Sequence, residues 1–525
     1  MAIDGVSGRT SYIGSGILNL RSQLDSLTEQ LASGKISTTY AGQGSGRSMA
    51  LGIRAQLNAY SSFADTATNV NTRINVANLS LQRLVAINST VKGAAVSAGS
   101  TIDNTGQTAG QKTANLDFYD SVDMLNAQSG DRYLFGGRIT DAPPVAAADQ
   151  ILNGNGATIA GLKQVIDERK QADLGVNANG RVGTAIGAAP ASTPTTVLVT
   201  EEELTSPAPA VAQPFGMKVS GVSTNIVGAT VTQPAVPVAP APAAQKAMSI
   251  DLGATLPKEG DTIKFTFKMP DGTSEDIVMK ATATAKTPMD ANTFLIGTDT
   301  TTTAANLNTE LGKSMTQLAN GAMAAASAVQ AGTDFFDNPP QRVAGGPNFA
   351  ASTTQVAGTA ADTVIWYVGE SDVSASQTDT ARGTAVARID DAITVRYGAR
   401  ANEQALRTQL QNVAVFAAVT TNITDVNANG KIAALNQRIA QNLAVIPGTQ
   451  TIQDIQADFA GAQSSIKATT DRQTQSKVIS QTLLDSIEGI NNDEVATKIL
   501  ALQTALQASY QTTSDLYKMS LVKFL

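Results

Sequence analysis

The sequence predicts a mainly α-helical protein: a long antiparallel helical hairpin, a coiled-coil bundle formed by both termini, carrying a central α+β outer domain. Three observations predict it. Ile13, Ile17, Leu20, Leu24, Leu27 and Leu31 fall at alternating spacings of four and three, which puts an unbroken apolar seam on one helix face. Val495, Ile499, Leu502 and Leu506 repeat the rhythm at the far end, and Leu516, Leu521, Phe524 and Leu525 extend its apolar character. Mid-chain, the helical spacing gives way to connectors rich in Ala, Pro, Thr and Val and to strand-like alternation. A stripe of this kind needs a helix against it, so the two ends are expected to meet, and everything between must leave and return. The plainer alternative is a helical protein whose terminal helices pack separately.

Taken in order, Gly34 is placed to cap the first helix after Leu31. Tyr40–Ser48 reads as a loop. Its Gly42, Gly44 and Gly46 make a weak phosphate cradle, because no Lys-Ser/Thr pair follows. A second helix is expected from about Met49 to Val91, carrying Tyr60, Phe63, Val70, Ile74, Leu81 and Leu84, roughly 60 Å of rod. A third runs from Asp117 to Gln128 into a tight reversal over Ser129–Arg138, and a short helix from Gly161 to Lys170 follows.

Ala189–Pro214 and Gln233–Ala244 read as extended connectors. Ile263, Phe265 and Phe267 alternate with polar residues, Pro270-Asp271-Gly272 turns, and Ile277–Met279 returns, which predicts a β-hairpin. Ala304–Gln330 reads as helix and Val364–Val368 as a buried strand carrying Trp366, the only Trp. Helices resume through Leu406, Leu410, Val413 and Phe416 and along Ile452–Ile487, and Asn491-Asn492-Asp493 caps the last helix. The expected domains are a terminal assembly domain (1–45 and 490–525), a helical rod (46–185 and 375–489) and an outer α+β domain (186–374), the last deletable without loss of assembly.

Composition narrows function. Charged residues are only 15% of the 525, so the surface is polar but weakly charged, as suits subunits packed against copies of themselves. A net charge of -7 with no basic, aromatic-interleaved cluster argues against nucleic acid. The chain has no Cys and no His, which removes disulfides, thiol nucleophiles, imidazole bases and nearly all zinc sites. Scattered carboxylates single out no acid–base pair, so no catalytic, cofactor-binding or metal-binding residue is assigned and no cofactor is expected. Neither a signal peptide nor an apolar run of 18 or more residues is visible, so no membrane span is expected. By those rules the chain is cytoplasmic unless it leaves by a route that reads no cleavable signal.

Leu24–Lys35, ending in Leu-Ala-Ser-Gly-Lys, the long second helix, and Arg132-Tyr133-Leu134-Phe135-Gly136-Gly137 followed by Asp141-Ala142-Pro143-Pro144 resemble the bacterial flagellin family. The last of these leans toward its hook-filament junction branch, the hook-associated protein 3 group. The resemblance covers about 1–180 and 380–525, and 186–374 is similar to an insert of some alphaproteobacterial members. It implies a secreted structural subunit of the bacterial flagellum and no enzyme. Its partners would be copies of itself, other flagellar axial proteins, the type III export apparatus and an export chaperone. The assembly interface would be Ile13, Ile17, Leu20, Leu24, Leu27, Leu31, Val495, Ile499, Leu502, Leu506 and Leu516. The ends of the monomer are then expected to order only in the polymer. Length and insert suit a filament subunit and the Tyr-Leu-Phe-Gly-Gly turn suits a junction, so both stay open. The alternative from another class is an adhesin or glycan binder acting through the insert, with Trp366 and Tyr367 as a stacking platform or, more plainly, as core. A secretion-system needle or translocator fits less well, being shorter or membrane-spanning.

Overall fold

The computed structural model describes residues 4–97, 99, 101–156, 158–187, 193–205, 213–235, 244–370 and 380–522. Three-and-four spacing at the start of the chain becomes α1 (Asp4–Ser33) and α2 (Arg47–Ser97). Gly34 closes α1 at φ 67°, its N–H donating to Gln30 O at 2.8 Å. The stretch expected as a loop is instead a 3-10 helix over Tyr40–Gly46, in which Gly44 at φ 58° supplies a kink that an L side chain resists. α3 (Ala109–Leu125) begins earlier than expected because Thr108 and Gln111 form a capping box, and it ends at a C-cap on Asn126. Gln128 joins β1 (Gln128–Ser129), which pairs with β2 (Arg132–Tyr133) around Gly130.

Two short helices follow, α4 (Ala148–Asn153) and α5 (Leu162–Leu174). The strands are β3 (Val182–Ile186), β4 (Thr196–Thr205), β5 (Lys218–Thr224), β6 (Thr230–Ala235), β7 (Ala244–Asp251), β8 (Thr262–Lys268), β9 (Ser274–Thr282) and β10 (Thr293–Leu295). The helix expected over Ala304–Gln330 is α6 (Thr300–Leu318) and α7 (Ala324–Phe335), separated by a π turn at Ala319–Met323. Two ribbons, β11 (Gln341–Val343) with β12 (Gln355–Ala357) and β13 (Val386–Arg388) with β14 (Thr394–Arg396), lead to α8 (Gln404–Ala418), α9 (Ala428–Asn442), α10 (Ile452–Glu488) and α11 (Asn492–Val522).

Two expectations need correction. Both connectors contain strands. Thr196-Val-Leu-Val-Thr200 lies inside β4, because Pro190 and Pro194 precede it and leave its backbone N–H groups free for the ladder. Gln233–Ala235 belongs to β6, while 188–192, 206–212 and 236–243 lie outside the described residues, as do Phe524 and Leu525. In Val364–Val368, Val364, Trp366 and Tyr367 are buried and Val368 is exposed, and the segment joins no ladder. Its backbone makes single bonds, Val364 N–H to Ala160 O at 3.0 Å and Val368 N–H to Pro144 O at 2.9 Å. The whole is therefore mixed α and β, with long helices and two four-stranded sheets.

The chain divides into two compact units. The first comprises Met1–Asn71, Ala387–Val395 and Gly461–Leu525. In it α1 packs against α11. Ala50 and Ile53 of α2 bury with Leu484 of α10, and Gln473 donates to Ile389 O at 2.7 Å. Asn491 caps α11 as expected, its Oδ1 accepting from the N–H groups of Asp493 and Glu494 at 3.1 and 3.2 Å.

The second unit comprises Thr72–Val386 and Arg396–Ala460. One sheet has the order β3-β4-β7-β6, and the other has β10-β9-β8-β5, in which β9 and β10 are parallel. The expected hairpin is β8 with β9, Phe265 opposite Ile277. Val197, Val199 and Met248 from one sheet, Phe265, Phe267 and Met279 from the other, and Leu307, Leu311 and Met315 from α6 form one core. α7 then packs on α5, α8 and α9, all outside 186–374. A Cβ added at Gly332 of α7 would overlap Val415 of α8. Arg438 of α9 grips the hairpin tip, donating to Asp271 at 2.7 Å and to Glu275 and Thr273 Oγ1 at 3.0 Å.

Buried charge ties these layers. Arg169 of α5, 3% exposed, donates to Asp173 at 2.9 Å, Asp334 of α7 at 2.7 Å and Pro214 O at 2.8 Å. Its guanidinium also lies over the Phe215 ring.

Candidate functional site

The seam residues proposed from sequence are brought together as helices, but not sealed. On α1, Ile13, Ile17, Leu20, Leu24 and Leu27 are half-buried and Leu31 is 41% exposed. On α11, Val495 and Leu506 are buried, Ile499 and Leu502 half-buried, and Leu516 is 37% exposed. Leu521 lies in α11 and has no described side-chain environment. Two helices facing each other cover one side of each apolar stripe, and the flanks stay open to solvent.

A second face went unread. Leu500, Tyr510 and Tyr517 are 64%, 51% and 60% exposed, and they share one side of α11 with Gln503, Gln507 and Ser514 at alternating spacings of three and four. That side carries no charged residue. Leu18 and Tyr12 of α1 are likewise exposed. The signal was present in the sequence, but it is diluted by glutamine and serine, and the stronger Leu stripe beside it took the assignment.

The base of the terminal pair is pinned at Glu488, the last residue of α10, which is 4% exposed. Its carboxylate accepts from Arg54 of α2 at 2.6 Å and from Gln43 at 3.1 Å, with Lys35 at 3.8 Å. Its backbone O accepts from Ile36 N–H at 2.7 Å, and Ile490 N–H donates to Gly34 O at 3.2 Å. Burial pushes the Glu488 carboxyl up, but the hydrogen bond and charge of Arg54, with Gln43 and Lys35, outweigh it and hold the group below its ordinary range.

The second unit holds a cavity of about 480 Å³. Phe336 and Trp366 form one wall, their ring centroids 5.1 Å apart, and Tyr367 follows at 5.6 Å from Trp366. Trp366 is 3% exposed and its Nε1 donates to Phe336 O at 3.1 Å, while the Tyr367 hydroxyl donates to Glu370 O at 3.0 Å. Of the two readings of this pair, the surface stacking platform fails and the plainer one, core, holds: both rings are packed inside, with their polar tips satisfied. Arg382, Arg400, Glu403 and Arg407 also line the cavity. Glu403 accepts from Arg382, from Arg400 N–H at 3.1 Å and from Gln450 at 3.1 Å. Sequence reading missed this cluster because its arginines look like surface charges 18 and 7 residues apart.

Among the described residues no group of three or more His, Cys, Asp and Glu could hold a metal ion, and no helix is long and apolar enough to cross a membrane. No protein-family model matches the chain, and no curated protein matches it at a significant level.

Proposed function

We propose that the chain is a structural subunit of flagellin type, polymerising outside the cell through its terminal helices as a filament subunit or a hook-filament junction and supporting motility. It has no enzymatic role, and it leaves the cell through the flagellar type III apparatus with an export chaperone. The observation that carries the reading is the open seam. α1 and α11 pair, yet their Leu and Ile side chains stay half-exposed and a second face with two tyrosines stands uncovered. A fully buried aliphatic side chain contributes about 1.5–3 kcal/mol, so covering the remaining halves with copies of the same helices gains on the order of 10 kcal/mol per subunit. The weakly charged composition favours such close self-packing.

The test is Leu24→Asp. A carboxylate placed in that interface costs several kcal/mol in every copy. Electron microscopy of concentrated wild-type protein is expected to show filaments or capped hook ends, and the variant is expected to show neither while keeping its melting transition. Normal assembly by the variant removes the seam as the assembly surface.

A further inference from the structure

We infer that the cavity beside Trp366 binds a small hydroxy-carboxylate, a hexuronic acid being its sugar form, with Arg400 as the anchor for the carboxylate. Arg400 is 7% exposed, and its Nε and Nη1 are buried without a hydrogen-bond partner among the described residues. Neither Arg400 nor Arg407 makes an ion pair among the described residues, where the one buried carboxylate lining the cavity, Glu403, is taken by Arg382, Gln450 and a backbone N–H. The exposed Asp458 also faces Arg382, at 3.7 Å. A guanidinium taken out of water without an anion is costly to keep, so its retention points to an anion that arrives from outside.

The pattern of empty valences narrows the class. The Nε and Nη1 groups of Arg400 point from different edges of its guanidinium, so each is a single charge-assisted donor for an anionic oxygen. Arg382 Nη1, also buried and unpartnered, adds a third donor. Asn402 Oδ1 lines the same cavity as a buried acceptor with no donor, which calls for a hydroxyl on the ligand rather than a bare anion. The N-terminus of α8, 15 residues long, opens on the cavity at Gln404 and adds favourable partial charge. The volume fits one monosaccharide-sized molecule. This reading is independent of assembly through the terminal helices.

Trp366 is the chain's only tryptophan, so its fluorescence reports on this cavity. The full-length protein is titrated with D-glucuronate, D-glucose and inorganic phosphate, following Trp366 emission and the melting temperature. D-glucuronate is expected to shift both, D-glucose to shift neither, and phosphate to bind at least tenfold more weakly. Arg400→Gln is expected to weaken D-glucuronate binding at least tenfold while leaving the melting temperature of the ligand-free protein equal or higher, because it removes an unpaired buried charge. Asn402→Ala, which keeps all the arginines, is expected to weaken D-glucuronate but not phosphate. Absence of D-glucuronate binding, equal binding of phosphate, or a steep loss of ligand-free stability in Arg400→Gln overturns the assignment.

Discussion

Two ionic residues decide how much of the packing survives a single change. Arg169 works against burial, and the carboxylates of Asp173 and Asp334 outweigh that and raise its pKa. Replacing it with Met leaves both acids buried without their cation. Arg169→Met is expected to cost about 3–5 kcal/mol in urea unfolding of the second unit. Glu488 gives a pH signature instead. Its folded pKa lies below the ordinary 4.5, so its contribution is present above that value and is lost as pH falls through and below it. Lowering the pH from about 5 to about 3 should weaken the wild-type terminal unit. Glu488→Gln should lose about 1–2 kcal/mol at neutral pH and flatten that acid dependence. An unchanged acid slope in the variant would show that the carboxylate is not what holds the base of the helix pair.

At the level of elements, the close approach of α7 to α8 is the sharpest test of how the second unit is built. Gly332→Ala adds a methyl where Val415 already sits and is expected to cost about 1–3 kcal/mol, visible as a lower melting temperature. Excising 186–374 would remove α7 itself and bare the faces of α5, α8 and α9. Sequence reading located the long helices, Gly34, the Asn491 cap and the β8–β9 hairpin, because each rests on spacing or turn chemistry within a few residues. It missed β4 because the strand-like run Thr196–Thr200 that opens this ten-residue strand was judged by its Pro and Ala neighbours. Val364–Val368 was apolar enough for a strand, but ladder formation depends on a partner that no local pattern names. The cavity arginines were illegible for the same reason, since burial without a partner is a property of the fold.

At the scale of the whole molecule, α1 and α11 come from opposite ends of the chain and share one unit. Truncation before Asn492 is expected to strip amide-exchange protection from α1 while leaving the β8–β9 hairpin protected. Retained protection in α1 would mean that α11 does not hold it. The pairing also sets an order in time. Roughly 460 residues separate the end of α1 from the start of α11, and at synthesis rates of about 5–20 residues per second the first helix waits roughly 25–90 s for its mate. Through that interval Leu20, Leu24 and Leu27 cannot be covered by α11, and any cover from this helix's own kind must come from a molecule made earlier.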